Sequence, residues 1–339
     1  MIEYNNGISI EGLDFVLDAG RRAECSFVSH AHSDHARKHK KIIATPETAL
    51  LYRHRYPTVP TRAIPFGHRT KIGSASVELF PSGHMLGAAQ IMVDIKSTRI
   101  VYTGDFKVYP NLTCPPLETR HCDILIMEST YGDPTYRFPP QNEVYTRIIM
   151  FIKRCFADGK TPVLVGYATG KAQEAVLLAQ QHGFDVCVDS AVGEVNDLYR
   201  SAGVKLRPTP NWHRCSLTGK ALVVSPQTIR SDSYKRMRRL KSVFLTGWAQ
   251  GEGMNRYTSA DWSLPLSDHA DYTQLLHYIE MSDPAKIYTL HGDPKFARIL
   301  VDIGYDAEYL GKGSTAKPLS HGKAEKPRKL RAGQNYELF

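Results

Sequence analysis

Short apolar runs, each closed by a small residue and then a polar one, recur down this chain. Val77-Glu78-Leu79-Phe80 leads into Pro81-Ser82-Gly83-His84, Arg99-Ile100-Val101-Tyr102-Thr103 into Gly104-Asp105, and Ile287-Tyr288-Thr289-Leu290 into His291-Gly292-Asp293. Their β-branched and aromatic content predicts strands, each ending at one coordinating side chain. Cys25-Ser26-Phe27-Val28-Ser29 predicts a further buried strand that releases the chain at His30. Between Tyr131 and Leu266 the pattern changes to strands over 161–165, 185–188, 221–224 and 243–245, with amphipathic helices over 171–181 and 192–200. Strands alternating with helices imply a small parallel sheet, hence an inserted α/β domain. The expected organisation is a first lobe in two parts, 1–150 and 261–315, an insert over 151–260, and a basic, flexible tail over 316–339.

The candidate chemistry lies at the strand ends. His30-Ala31-His32-Ser33-Asp34-His35 packs four metal-ligating side chains into six positions, a density that core or surface patterning does not produce. Imidazole and carboxylate suit a borderline divalent ion such as zinc. Alternation lets His30 and His32 face one ion while Asp34 and His35 face another. A single His or Asp after a strand is ordinarily a turn or capping residue; His84, Asp105 and His291 gain weight by occurring together. Two zinc ions about 3.5–4 Å apart need a shared carboxylate, and Asp105 is the natural bridge.

Asp18 in Phe15-Val16-Leu17-Asp18-Ala19-Gly20, the hexapeptide, His84 and Asp105 resemble the four successive motifs of the metallo-β-lactamase fold. Ile124-Leu125-Ile126-Met127-Glu128-Ser129-Thr130-Tyr131-Gly132, Leu266-Ser267-Asp268-His269-Ala270-Asp271-Tyr272 and Thr289-Leu290-His291-Gly292-Asp293 resemble motifs A, B and C of its β-CASP nuclease branch. The resemblance implies an αββα sandwich capped by an inserted α/β domain. It also implies a first zinc on His30, His32, His84 and Asp105, and a second on Asp34, His35, Asp105 and His291, with manganese as a substitute. Asp18 would orient a ligand loop, and Glu128 would set the tautomer of His269 beside the scissile phosphate. Asp34, Asp18, Glu128 and His269 form the implied catalytic set.

The 339 residues carry 42% hydrophobic content, enough for two packed lobes, and no apolar run approaches the roughly 20 residues that span a bilayer. Met1-Ile2-Glu3-Tyr4-Asn5-Asn6 is not a signal sequence, so a cytoplasmic protein without membrane partners is expected, its six scattered cysteines reduced. A net charge of +9 favours a polyanionic partner. Basic runs include Arg37-Lys38-His39-Lys40-Lys41 and Tyr234-Lys235-Arg236-Met237-Arg238-Arg239-Leu240-Lys241, the latter offering Lys235, Arg236, Arg238 and Arg239 to a phosphate backbone. Gly166-Tyr167-Ala168-Thr169-Gly170-Lys171 joins a strand to a helix, so that Thr169 and Lys171 can meet an anion or simply cap the helix. Trp248, between Gly247 and Ala249, can stack on a base or pack as a hinge aromatic.

Segments such as Gly104-Asp105-Phe106-Lys107, Gly166 to Gln173 and Gly247-Trp248 resemble the ligase-associated DNA exonucleases of prokaryotes over nearly the full length. This implies a DNA substrate and association with a DNA ligase. The last residues, Gln334-Asn335-Tyr336-Glu337-Leu338-Phe339, resemble a sliding-clamp-binding peptide. Histidine at motif C, here His291, is the pattern of RNA-processing relatives, so RNA stays open beside DNA. A non-catalytic binding module would show broken ligand positions, and a small-molecule hydrolase would have no use for the insert or the basic runs.

Overall fold

The computed structural model describes residues 2–250 and 259–316. The basic segment 317–339, with its clamp-like peptide, lies outside the described residues. Two seven-stranded sheets face each other. One carries the antiparallel strands Ile2–Tyr4 and Ile8–Ile10, then the parallel strands Val16–Leu17, Ser26–Phe27, Ile42–Ala44 and Thr61–Ala63, and takes Ser314–Ala316 onto its opposite edge. The other begins as an antiparallel meander through Thr70–Ile72, Ala75–Pro81, Ala89–Ile95 and Thr98–Tyr102, then turns parallel through Ile124–Glu128, Lys286–Leu290 and Ala307–Tyr309.

Their facing sides share one core, in which Leu17, Phe27 and Ile43 meet Val77, Ile91 and Ile126. Helix Pro46–Arg55 covers the outer face of the first sheet through Tyr52, and helices Tyr272–Ser282 and Lys295–Asp302 cover that of the second through Leu275, Ile279 and Leu300. Strand Ile124–Glu128 is buried at every position, as a strand sandwiched between two apolar layers must be. The lobe is the expected αββα sandwich.

The third sheet is parallel throughout, in the order Asp185–Val188, Lys220–Val224, Thr161–Val165, Leu240–Leu245 and Trp262–Leu264. Strands and helices expected between Tyr131 and Leu266 are present; the edge strand Trp262–Leu264 was too short and half-exposed to announce itself. Helix Gln141–Ala157, which straddles position 150, packs in this sheet's core through Val144, Ile148 and Ile152. That core continues into Ala31, Met85 and Leu86 beside the ligand loops, so insert and sandwich meet through packed apolar contact. Cys187 and Cys215 are neighbours, their Cα atoms 7.4 Å apart, because the turn Trp212–Arg214 folds back onto the strand bearing Cys187, a contact across 28 residues that spacing does not reveal.

Candidate metal centre and active site

Strands Val16–Leu17, Ser26–Phe27, Ala75–Pro81, Thr98–Tyr102, Ile124–Glu128 and Lys286–Leu290 finish at or just before Asp18, His30, His84, Asp105, Glu128 and His291. Carboxyl ends of strands are where loops gather side chains above a sheet. Two of these residues turn the chain with left-handed backbone, Asp18 at φ 43° and His291 at φ 58°, a conformation that Asp and His tolerate better than most. Behind His291, a Cβ on Gly292 would stand 1.9 Å from the Ser129 carbonyl oxygen, so only glycine lets this turn close against the end of the neighbouring strand.

His30, His32, His84 and Asp105 converge with ligand atoms within 4.8 Å of one another. His32 Nδ1 lies 3.1 Å from both His30 Nε2 and His84 Nε2, and His30 Nε2 lies 3.6 Å from Asp105 Oδ2. The outward nitrogens assign the tautomers. His84 Nδ1–H donates to the Asp268 carbonyl at 2.7 Å and His32 Nε2–H to the Thr169 carbonyl at 3.0 Å. His30 Nδ1–H donates to Ser29 Oγ at 3.0 Å, whose own proton goes to Asp18 Oδ2 at 2.5 Å. Three lone pairs therefore face one another and a carboxylate. Burial is the leading cause that keeps these imidazoles neutral, with His84 pushed down to about 3.

The same Asp105 Oδ2 lies 3.5 Å from His35 Nε2, and His35, Asp105 and His291 form a second convergent group. His35 Nδ1 donates to Asp18 Oδ2 at 2.8 Å, which turns Nε2 inward. Burial opposes protonation of His35, but Asp105 and Asp18 outweigh it and raise the imidazole to about 10. Asp34 stands at the rim, its carboxylate 3.8 Å from His35 Nε2 and its side chain 74% exposed.

These donors fit a divalent ion. Converging lone pairs beside a carboxylate repel each other unless a cation lies among them. A tetrahedral centre with arms of about 2.0–2.1 Å has edges of roughly 3.3–3.4 Å, and the spacings of 3.1, 3.1 and 3.6 Å bracket that value.

Beside the cage lies a dyad of buried Glu128 and part-exposed His269. His269 Nδ1 is 2.8 and 3.0 Å from the two oxygens of Glu128, which is 1% exposed and also accepts from Phe106 N–H at 2.9 Å and Thr130 Oγ–H at 2.5 Å. Burial opposes charge on His269, yet Glu128, followed by Asp105, carries it to about 9. Asp105, Glu128 and His269 have side-chain atoms within 4.8 Å of one another, so the dyad adjoins the shared carboxylate.

The insert's residues divide. Thr169 reaches the centre through its carbonyl rather than its hydroxyl. Lys171 does not stand free for an anion: its ammonium is buried 3.1 Å from Asp268 Oδ2, because the loop turns it inward against the sandwich. Trp248 is 42% exposed on the site side, tilted against Tyr131 and edge-on to Tyr136, and Tyr131 in turn lies against His269. Lys235, Arg236, Arg238 and Arg239 are exposed but lie at the wrong end of the sheet. Arg239 abuts Thr161, where strand Thr161–Val165 begins, whereas the loop to His32 leaves its other end, about 13 Å away at roughly 3.3 Å per residue step. Nearer the hexapeptide are exposed Arg37 and Lys38, and Arg55, whose guanidinium lies 3.5 Å from the Ala31 carbonyl.

Motif reading named Asp18 but missed the other groups that orient the candidate ligands. Ser29 and Tyr102, which donates to Asp18 at 2.8 Å, carry a weak signal as polar residues within apolar strands. The carbonyls of Thr169 and Asp268 carry none, since every residue has one.

Residues 262–308 match a family described as the Zn-dependent metallo-hydrolase RNA specificity domain. The chain is 32% identical over 336 residues to a probable DNA ligase of Opitutus terrae, covering 98% of this chain and about a third (33%) of that longer protein. It is 25% identical to the 5′ exonuclease Apollo of Gallus gallus, over 93% of this chain and 70% of the relative. A solved structure from Enterococcus faecalis, of a protein of unknown function, shares the fold at TM-score 0.59 and 14% identity, over 86% of this chain and 80% of that one. With the αββα sandwich, the insert and the strand-end residues in place, the chain has the metallo-β-lactamase fold with a β-CASP insert and is similar to the nucleases of that branch.

Proposed function

We propose that this chain hydrolyses phosphodiester bonds of nucleic acid at a two-ion centre, acting as an exonuclease on DNA. The observation that carries the reading is Asp105 Oδ2, 3.6 and 3.5 Å from the inward nitrogens of His30 and His35, one from each convergent group. His30, His32, His84 and Asp105 would hold one ion and His35, Asp105, His291 and the rim carboxylate Asp34 the other. Zinc, or manganese in its place, would supply a nucleophile at neutral pH and offset charge developing on the phosphate. His269, held protonated by the carboxylate of Glu128, donates to the leaving oxygen or holds the phosphate. Trp248 stacks on a base next to the reacting phosphate.

DNA is favoured by the names of the ligase and exonuclease relatives, and the length of the former supports work alongside a DNA ligase. RNA is the second reading, favoured by the description of the family matched at 262–308 and by His291. Digesting end-labelled single- and double-stranded DNA and RNA side by side, with zinc or manganese and products sized over time, tests both. Faster loss of DNA label in single-nucleotide steps is expected. Turnover of small esters without cleavage of any polynucleotide would overturn the proposal.

A further inference from the structure

The insert holds ligands of the metal centre as well as lying over it. The Thr169 carbonyl takes the outward proton of His32 at 3.0 Å. Two residues on, Lys171 Nζ pairs with Asp268 Oδ2 at 3.1 Å, and the carbonyl of Asp268 takes the outward proton of His84 at 2.7 Å. Lys171 and Asp268 side chains are 6% and 4% exposed, and Asp268 Oδ1 has no hydrogen-bond partner among the described residues, so Lys171 is the close compensating charge for this carboxylate. Between the two contacts, Gly170 sits at φ 91°, and a Cβ there would come within 3.5 Å of His32 Nε2 and of Met85 Cβ.

A second buried pair runs the other way. Lys107 of the sandwich meets Glu174 of the insert helix at 2.9 and 3.1 Å, with Gln141 and Tyr145 completing the carboxylate's partners. This pair also joins the lobes, but neither Lys107 nor Glu174 supplies the group that fixes a ligand histidine.

We infer that Lys171 is a positioning residue of the metal centre: through Asp268 and the Thr169 loop, the docked insert sets His84 and His32, and the first ion site is complete only with the insert in place. This rests on the two-ion reading above. Removing the ammonium leaves a buried carboxylate uncompensated, and its segment shifts or takes up a proton. The His84 carbonyl partner moves with it. By linkage, an ion bound at this site strengthens docking of the insert to the same extent that docking strengthens ion binding.

The test is zinc affinity by competition with a chromophoric chelator, together with thermal unfolding with and without zinc, in metal-free preparations of the full chain. Lys171→Met is expected to weaken zinc binding about 10- to 100-fold, the scale for loss of groups that orient a ligand, and to shrink the zinc-induced rise in Tm. Lys171→Arg should recover part of the affinity. Gly170→Ala, which strains the Thr169 loop and leaves both ion pairs intact, should also lose affinity. Glu174→Gln, which breaks the matched pair, should lower the metal-free Tm while keeping parental zinc affinity. The inference is overturned by parental zinc affinity in both Lys171→Met and Gly170→Ala, or by Glu174→Gln losing as much affinity as Lys171→Met at equal loss of Tm. Either result makes the pair a simple brace between lobes. A parent chain that takes up no zinc sinks the two-ion reading and this inference with it.

Discussion

Asp18→Asn isolates the hydrogen-bond network behind the ligands, because asparagine matches aspartate in shape and accepts the φ of 43° at this position. Asp18 Oδ1 accepts from Ser29 N–H at 2.8 Å, while Oδ2 accepts from Ser29 Oγ at 2.5 Å and from His35 Nδ1 and Tyr102 OH at 2.8 Å each. An amide must aim its NH2 at one of these sets. Facing Ser29, it opposes a fixed backbone donor. Facing the other set, it makes the two hydroxyls rotate and His35 accept at Nδ1, which moves the imidazole proton to Nε2, the atom 3.5 Å from Asp105. That tautomer has no lone pair for an ion. Hydrogen bonds to a charged group contribute about 1.5–3 kcal/mol each, and breaking a buried pair costs about 3–5 kcal/mol. With Asp18 and His35 side chains 4% and 3% exposed, solvent offers little relief, so we expect a loss of about 3–5 kcal/mol in the metal-free protein. Zinc affinity should fall about 10- to 100-fold. Denaturant titration and chelator competition measure the two effects. An Asp18→Asn protein with parental stability and two ions at parental affinity would refute the tautomer argument.

Asp105→Ala should abolish occupancy of both ion sites as well as turnover, since a shared ligand has no substitute; one firmly held ion in a fully active parent, by elemental analysis, would sink the two-ion assignment. His269→Ala should lower turnover about 100-fold or more with metal content intact, and loss of zinc from it would make His269 a ligand. Because Glu128 raises His269 from 6.5 to about 9, the imidazolium stabilises the fold fully below the lower value and that contribution is lost as pH rises through the upper one. Cleavage should decline over the same upper range, and a pH profile of single-turnover rates that stays flat through it would exclude His269 as the proton donor. Neutralising Lys235, Arg236, Arg238 and Arg239 together should leave the salt dependence of binding near parental, whereas neutralising Arg37, Lys38 and Arg55 should flatten it; the reverse outcome would put substrate at the other end of the insert's sheet.

How far the sequence could be read follows from where each signal resides. Ligand identity is a matter of side-chain type, and the hexapeptide with His84, Asp105 and His291 holds the members of both convergent groups, Asp34 alone of the expected set standing outside them. Strands at 161–165 and 185–188 were visible because buried parallel strands are almost wholly apolar, whereas Trp262–Leu264, a half-exposed edge strand, has no such pattern. Charge proved the poorer guide. Lys171 and the run at 235–239 looked equally available in one dimension, yet one turns inward to Asp268 and the other lies a strand length from the loop that reaches His32. Sequence shows that a cation exists, and only topology shows which end of a sheet it occupies.

The placement of the insert in the chain has its own mechanical consequence. The chain enters the insert just after Glu128 and re-enters the sandwich just before His269, and these two residues meet at 2.8 Å across 141 positions. Ser129 reinforces the exit, donating from its N–H at 2.8 Å and its hydroxyl at 3.0 Å to the carbonyl of Leu290, which precedes His291. Both passages of the insert are therefore tied at the site, one by the Glu128–His269 dyad and the other by the turn that presents His291. A domain appended at a terminus would have one such passage and could swing about it. An insert held at two passages, with Thr169 on His32 between them, can shift over the metal centre only by disturbing Glu128 and His269 or the histidines. Docking of the insert, tautomer selection at His32 and His84 and the placement of His269 are in this fold aspects of one packed arrangement.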